Sequence, residues 1–203
     1  MANWQALLDY WFAYNQIGRG ASASAIAALR NSLWFGKTDA QDEDVRQRYG
    51  TQLEAALNGQ IPEPDDARVW LAQLIMLDQL PRMIHRDTPR AFSGDPLAQA
   101  LLARGMARGF DRQLSLIERV FAYLVLEHAE DIDLQNQALD CFGQLLTQAP
   151  RDERPLFAGF LDFARRHQVI IERFARFPHR NAILGRASSP AEQAFLQEPG
   201  SSF

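Results

Sequence analysis

One cysteine, Cys141, and one lysine, Lys37, stand in a chain of 203 residues. A single thiol excludes an internal disulfide and a cysteine-based zinc site. A single lysine leaves little room for Schiff-base chemistry. Every other basic residue is arginine, whose planar fork suits carboxylates and phosphates, although GC-rich codon usage would raise the same count. Excess positive charge is missing as well: 21 basic against 25 acidic residues leave a net of −4, which disfavours nucleic acid as a partner. The longest apolar runs, near Trp70–Leu77 and Val120–Leu126, fall far short of a membrane span. The first residues lack a basic segment and carry Asp9 within their apolar stretch, unlike a signal peptide. The expectation is a cytoplasmic protein with no membrane or nucleic-acid partner. No stretch alternates with period two for long enough to predict a strand.

What is present is helical. Trp4, Leu7, Leu8, Trp11 and Phe12 form one apolar face, ended by Gly18–Gly20. A small-residue helix is expected near 22–32, another over 39–57 before Gly59, and one over about 65–80 after the Pro62 and Pro64 loop. Asp95-Pro96 reads as an N-cap with proline at the first helical position. Further helices are expected from Asp111, from Asp131 to Gln148, from Asp152 to Ala175, and after the capping box Ser189-Pro190-Ala191-Glu192. The predicted fold is all-α, eight or nine helices packed as antiparallel hairpins in one domain over residues 1–203. At 47% hydrophobic and 23% charged, such a chain should bury roughly 70% of its unfolded surface.

Several motifs fail on inspection. Gly36-Lys37-Thr38 lacks the preceding glycine of a phosphate-binding loop, since that position is Asn31. No histidine begins an H-E-x-x-H pattern, and none stands three after a glutamate. No metal and no cofactor are therefore expected. Cys141, between Leu139 and Phe142, reads as a buried structural thiol.

Charge is distributed unevenly. Residues 1–150 carry a net of −6, residues 151–186 carry +4 from eight arginines, and the remainder carries −2. Three polar blocks interrupt otherwise core-like sequence: Asp78-Gln79-Leu80-Pro81-Arg82, Glu127-His128-Ala129-Glu130, and the segment carrying Arg173, Arg176, His179, Arg180 and Asn181. Polar groups next to core sequence must be paired where they are buried. Two readings fit. In one, Arg173, Arg176 and Arg180 pair with Asp78, Glu127 and Glu130 and tie helices together. In the other, Asp78, Gln79, Arg82, His128, Glu130, Arg173, Arg176, His179, Arg180 and Asn181 converge on a cleft for a small anion or acidic peptide, with His128 available as a general acid or base. His167, among Val169, Ile170 and Ile171, reads as a satisfied core histidine.

Trp34-Phe35-Gly36-Lys37, Leu77–Arg82 with Arg90-Ala91-Phe92, Glu127–Glu130, and above all Arg176–Arg186 with Ser189–Glu192 resemble the bacterial domain-of-unknown-function family 924. The blocks run in that family's order from about Leu8 to Leu196. The resemblance implies an all-helical, tetratricopeptide-repeat-like fold and brings no established activity. This sequence departs from the family pattern at Ala13, Asp87 and Ala175, where glycine is usual, at Leu80, Met83 and Ala129, and along 14–32. The catalytic residues, if any, stay unassigned. The expected role is a binding or scaffold protein, with a metal-independent hydrolase or transferase using His128, or an ion-pair cluster in a homo-oligomer with Trp4, Trp11 and Phe12 at the partner surface, as alternatives.

Overall fold

The computed structural model describes residues 4–201. Among the described residues ten α-helices run in order: α1 (Trp4–Trp11), α2 (Tyr14–Ile17), α3 (Ala23–Phe35), α4 (Asp39–Leu57), α5 (Ala67–Ile84), α6 (Asp95–Ala107), α7 (Leu116–Glu127), α8 (Ile132–Gln148), α9 (Arg154–Phe174) and α10 (Pro190–Phe195). Short 3-10 turns lie at Pro89–Phe92, Asp111–Gln113 and Pro178–Arg180, and there is no strand among the described residues. The all-α expectation is met. The helix number is one higher than expected, because α2 is a single turn whose four residues carry no periodicity.

Two helices form the centre. From Trp70 to Leu77 every residue of α5 is buried, as an apolar surface on all sides requires, and the helix packs against α1, α4, α6 and α7. Helix α7 is buried from Ile117 to Glu127 and packs against α5, α6, α8 and α9. The pairs α4–α5, α5–α6, α7–α8 and α8–α9 pack on one another in chain order, the arrangement of helical hairpins. Trp11, Phe12, Trp34 and Phe121 interlock edge to face, with centroids 4.6–6.0 Å apart. The Trp34 indole also donates to the Trp11 carbonyl at 2.9 Å. Trp11 and Phe12 are thereby buried, which corrects their expected place on a partner surface.

Three helix boundaries differ from expectation, and each difference has a cause. Helix α5 runs through Pro81 to Ile84. The proline removes the N–H that would bond the Leu77 carbonyl, and the backbone of Gly94 packs directly on that carbonyl: a Cβ at Gly94 would lie 2.0 Å from it. The N-cap of α6 is Gly94, not Asp95, so the Asp95 carboxylate is released for another partner. Asp111 opens a 3-10 turn, and α7 begins behind the capping box of Ser115 and Glu118. Among the described residues, the non-glycine positions with positive φ are Ala13 (59°), Asp87 (59°) and Ala175 (56°), three positions at which the resemblance implies glycine.

Candidate functional site

Helices α5 and α7 end side by side, and the segment after α9 folds across both ends. Asp78 is on the last turns of α5 and His128 caps α7. The His128 Nδ1 lies 2.8 and 3.0 Å from the two Asp78 carboxylate oxygens. Among the described residues no other hydrogen bond is made by that ring, and its side chain is 17% exposed against 1% for Asp78. Arg82, one turn beyond Asp78, approaches the same carboxylate at 3.4 Å. It donates twice to Asp95 at the start of α6, at 2.9 and 3.1 Å. Gln79 donates to the other Asp78 oxygen.

Arg180 enters from the 3-10 turn set by Pro178. Its guanidinium packs on the ring faces of Phe177 and Phe92, at 4.4 and 4.7 Å. Nη1 donates to the His128 main-chain carbonyl at 3.1 Å and lies 3.6 Å from Asp95, a carboxylate already engaged by Arg82. Nε is buried without a hydrogen-bond partner. Arg180 is thus a buried cation whose Nε is unmatched and whose nearest carboxylate is shared with Arg82.

The electrostatics follow from this crowding. Burial alone would raise the Asp78 carboxyl, but the Arg82 charge and the His128 ring hold it well below its ordinary range. Burial lowers the His128 pKa, and Arg82 and Arg180 add to that against the pull of Asp78. Burial and the neighbouring Arg82 bring Arg180 down to about 10. His179 falls to about 4 through burial and the charges of Arg180 and Lys37. Behind the pair, Glu127 is fully enclosed, and burial next to Asp78 pushes it up to about 8. One Glu127 oxygen lies 3.2 Å from His167 Nδ1, a nitrogen that also meets the Phe163 carbonyl at 2.9 Å. The other oxygen has no partner. Burial carries His167 down to about 3, so both groups are neutral near pH 7.

The remaining expected residues form a separate clasp. Glu130 accepts from Arg186 at 2.6 and 2.8 Å and from the Phe177 amide at 2.8 Å. Arg176 makes a two-pronged bond to Glu192 at 2.6 and 2.8 Å. Asn181 bridges Glu192 and Ser188 and accepts from Arg186. The sequence-level pairing of Arg173, Arg176 and Arg180 with Asp78, Glu127 and Glu130 is therefore corrected. Arg173 lies outside both groups, over Phe174 and Phe195 and 4.0 Å from Glu198. The clasp fixes the turn that presents Arg180.

Asp95, Phe92, Arg186 and Lys37 were not singled out as site residues. Asp95 looked like a cap, and the capping rule concealed its free carboxylate. Arg186 stood within a recognised block, and one arginine among eight carried no separate signal. Among the described residues, no group of three His, Cys, Asp or Glu side chains is placed to hold a metal ion, and no helix is long and apolar enough to cross a membrane.

The comparisons agree with this architecture. A structure of a protein of unknown function from Agrobacterium tumefaciens matches with a TM-score of 0.68 and 34% sequence identity, covering 87% of this chain and 99% of that one. No curated protein matches. The family described as bacterial protein of unknown function (DUF924) matches residues 7–200, a span that holds both central helices, the Asp78–His128 pair and the whole clasp. The chain belongs to that family.

Proposed function

We propose that the protein is a cytoplasmic binding protein for a small anion, held where α5, α7 and the Arg180 turn meet. The observation that carries this reading is Arg180: a buried guanidinium with one hydrogen-bonded nitrogen and its nearest carboxylate shared with Arg82. A buried charge left short of partners is destabilising, and an incoming carboxylate or phosphate would supply the missing acceptors by charge-assisted hydrogen bonds. The open edge of His128, bonded through its own carbonyl to Arg180, lies beside that position. The recessed donors suit a small anion better than an acidic peptide, which would need a longer exposed surface. Native mass spectrometry of the protein from cells, followed by a thermal-shift panel of inorganic phosphate, pyrophosphate and dicarboxylates, tests the proposal. A ligand at a hundred times its Kd stabilises by about 2.7 kcal/mol, a shift of several degrees. No anion retained and none shifting the transition would count against it.

A second reading rests on the Asp78–His128 pair. A carboxylate fixing Nδ1 leaves Nε2 as the proton acceptor, the orientation used by a general base. A lowered imidazole pKa keeps that nitrogen unprotonated near neutral pH. In this reading the bound anion is a substrate, and His128→Gln retains anion binding while turnover of a phosphate- or carboxylate-ester panel is lost. Turnover unchanged in His128→Gln would sink it.

A further inference from the structure

A cavity lies far along the chain from this site, between α1, the α2 turn, α3 and α4. It is a half-open cleft of about 480 Å³, within the range of small-molecule pockets. Asp9, Tyr10, Asn15, Arg30, Arg48 and Tyr49 contribute to its walls. The rings of Tyr10 and Tyr49 meet edge to face with centroids 5.6 Å apart, which makes one wall aromatic.

The charges in this wall are not equivalent. Arg48 is satisfied: Nε donates to both Asp44 oxygens at 2.8 and 2.9 Å, and Tyr10 donates to the same carboxylate at 3.0 Å. Arg30 is not. Its guanidinium rests 5.8 Å from the Tyr10 ring centroid, and its Nε is buried with no hydrogen-bond partner. No carboxylate among the described residues comes within ion-pair distance of it. Asp9 is the counterpart on α1. It accepts from the neutral Gln5 amide and has no cationic partner among the described residues. One cavity therefore carries a cation on α3 and an anion on α1, with no ion pair joining the two among the described residues.

We propose that this cavity binds a free α-amino acid. The carboxylate pairs with Arg30, the ammonium with Asp9, and the side chain lies against the Tyr10–Tyr49 wall. A ligand of single charge would satisfy one wall residue and leave its opposite unpaired. A zwitterion satisfies both without changing the net charge of the site.

The test is a thermal-shift screen of the wild-type protein with the twenty common α-amino acids, one at a time at millimolar concentration, followed by calorimetric titration of the strongest. At least one should raise the transition temperature saturably. Its deaminated acid and its decarboxylated amine should each bind at least tenfold more weakly. Arg30→Gln and Asp9→Asn should fold as the wild type does, since neither residue holds an ion pair, and each should weaken binding at least tenfold. The proposal is overturned if none of the twenty binds. It is equally overturned if the single-charge analogues match the amino acid, or if both variants bind it unchanged. Arg180→Gln leaves this binding intact, which separates the outcome from that of the anion site.

Discussion

Glu127 shows how the buried end of α7 responds to protons. Its folded pKa of about 8 lies above that of an unfolded glutamate, so the folded protein holds the extra proton between about pH 4.5 and 8. The stability this contributes is fully present below about pH 4.5 and is lost as the pH rises through about 8. His167 and His179 act in the opposite sense. Their folded pKa values of about 3 and 4 lie below the ordinary histidine value, so stability is present above about pH 6.5 and is lost as the pH falls. Glu127→Gln should therefore match the wild type at pH 5 and exceed it at pH 8.5, by about 1–3 kcal/mol, the cost of an unmatched buried polar group. Urea midpoints at the two pH values measure this, and equal wild-type and variant midpoints at pH 8.5 would contradict it.

At the scale of elements, the ends of helices decide where the chemistry goes. Ala175 closes α9 in the left-handed region at φ 56°, a conformation that costs an L-residue about 1–2 kcal/mol. Ala175→Gly relieves that cost against a smaller entropic loss. It should stabilise the protein by up to about 1 kcal/mol, read as a rise of about 2–4 °C in Tm; a fall would refute the assignment. Ala13 is a poorer target because its methyl group is fully buried. Gly94 works in the other direction. A side chain there meets the Leu77 carbonyl, so Gly94→Ala should move the start of α6 and loosen the Arg82–Asp95 bond. The expected loss is about 1–3 kcal/mol, as for other overpacked positions, with weaker anion binding.

These ends also mark what could be read from sequence. The apolar stripe of α1, the helix start near Asp131 and the capping box at Ser189 obey local rules, and their positions were legible. The end of α5 and the N-cap of α6 differ from the expected Leu80 and Asp95. The outcome is instead set by a contact between Leu77 and Gly94, seventeen positions apart. The candidate site was legible as three polar blocks next to core sequence. Which arginine meets which carboxylate was not, because pairing across helices depends on packing that no short window contains.

For the whole molecule, the charge imbalance of the sequence resolves into two kinds of contact. Arg186 joins Glu130 and Arg176 joins Glu192, so part of the basic segment closes the clasp that holds the C-terminal turn. Arg180 is carried by that clasp into the junction of α5 and α7, where acceptors are scarce. Under the proposed function, that scarcity serves a ligand. That reading is tested most directly by comparing Arg180→Gln with the wild type in two readouts, urea unfolding without ligand and calorimetric titration of inorganic phosphate. A binding site held under strain predicts that Arg180→Gln is at least as stable as the wild type, while phosphate affinity falls at least tenfold. A structural ion pair predicts the reverse: Arg180→Gln loses about 3–5 kcal/mol of stability, and the wild type binds no phosphate.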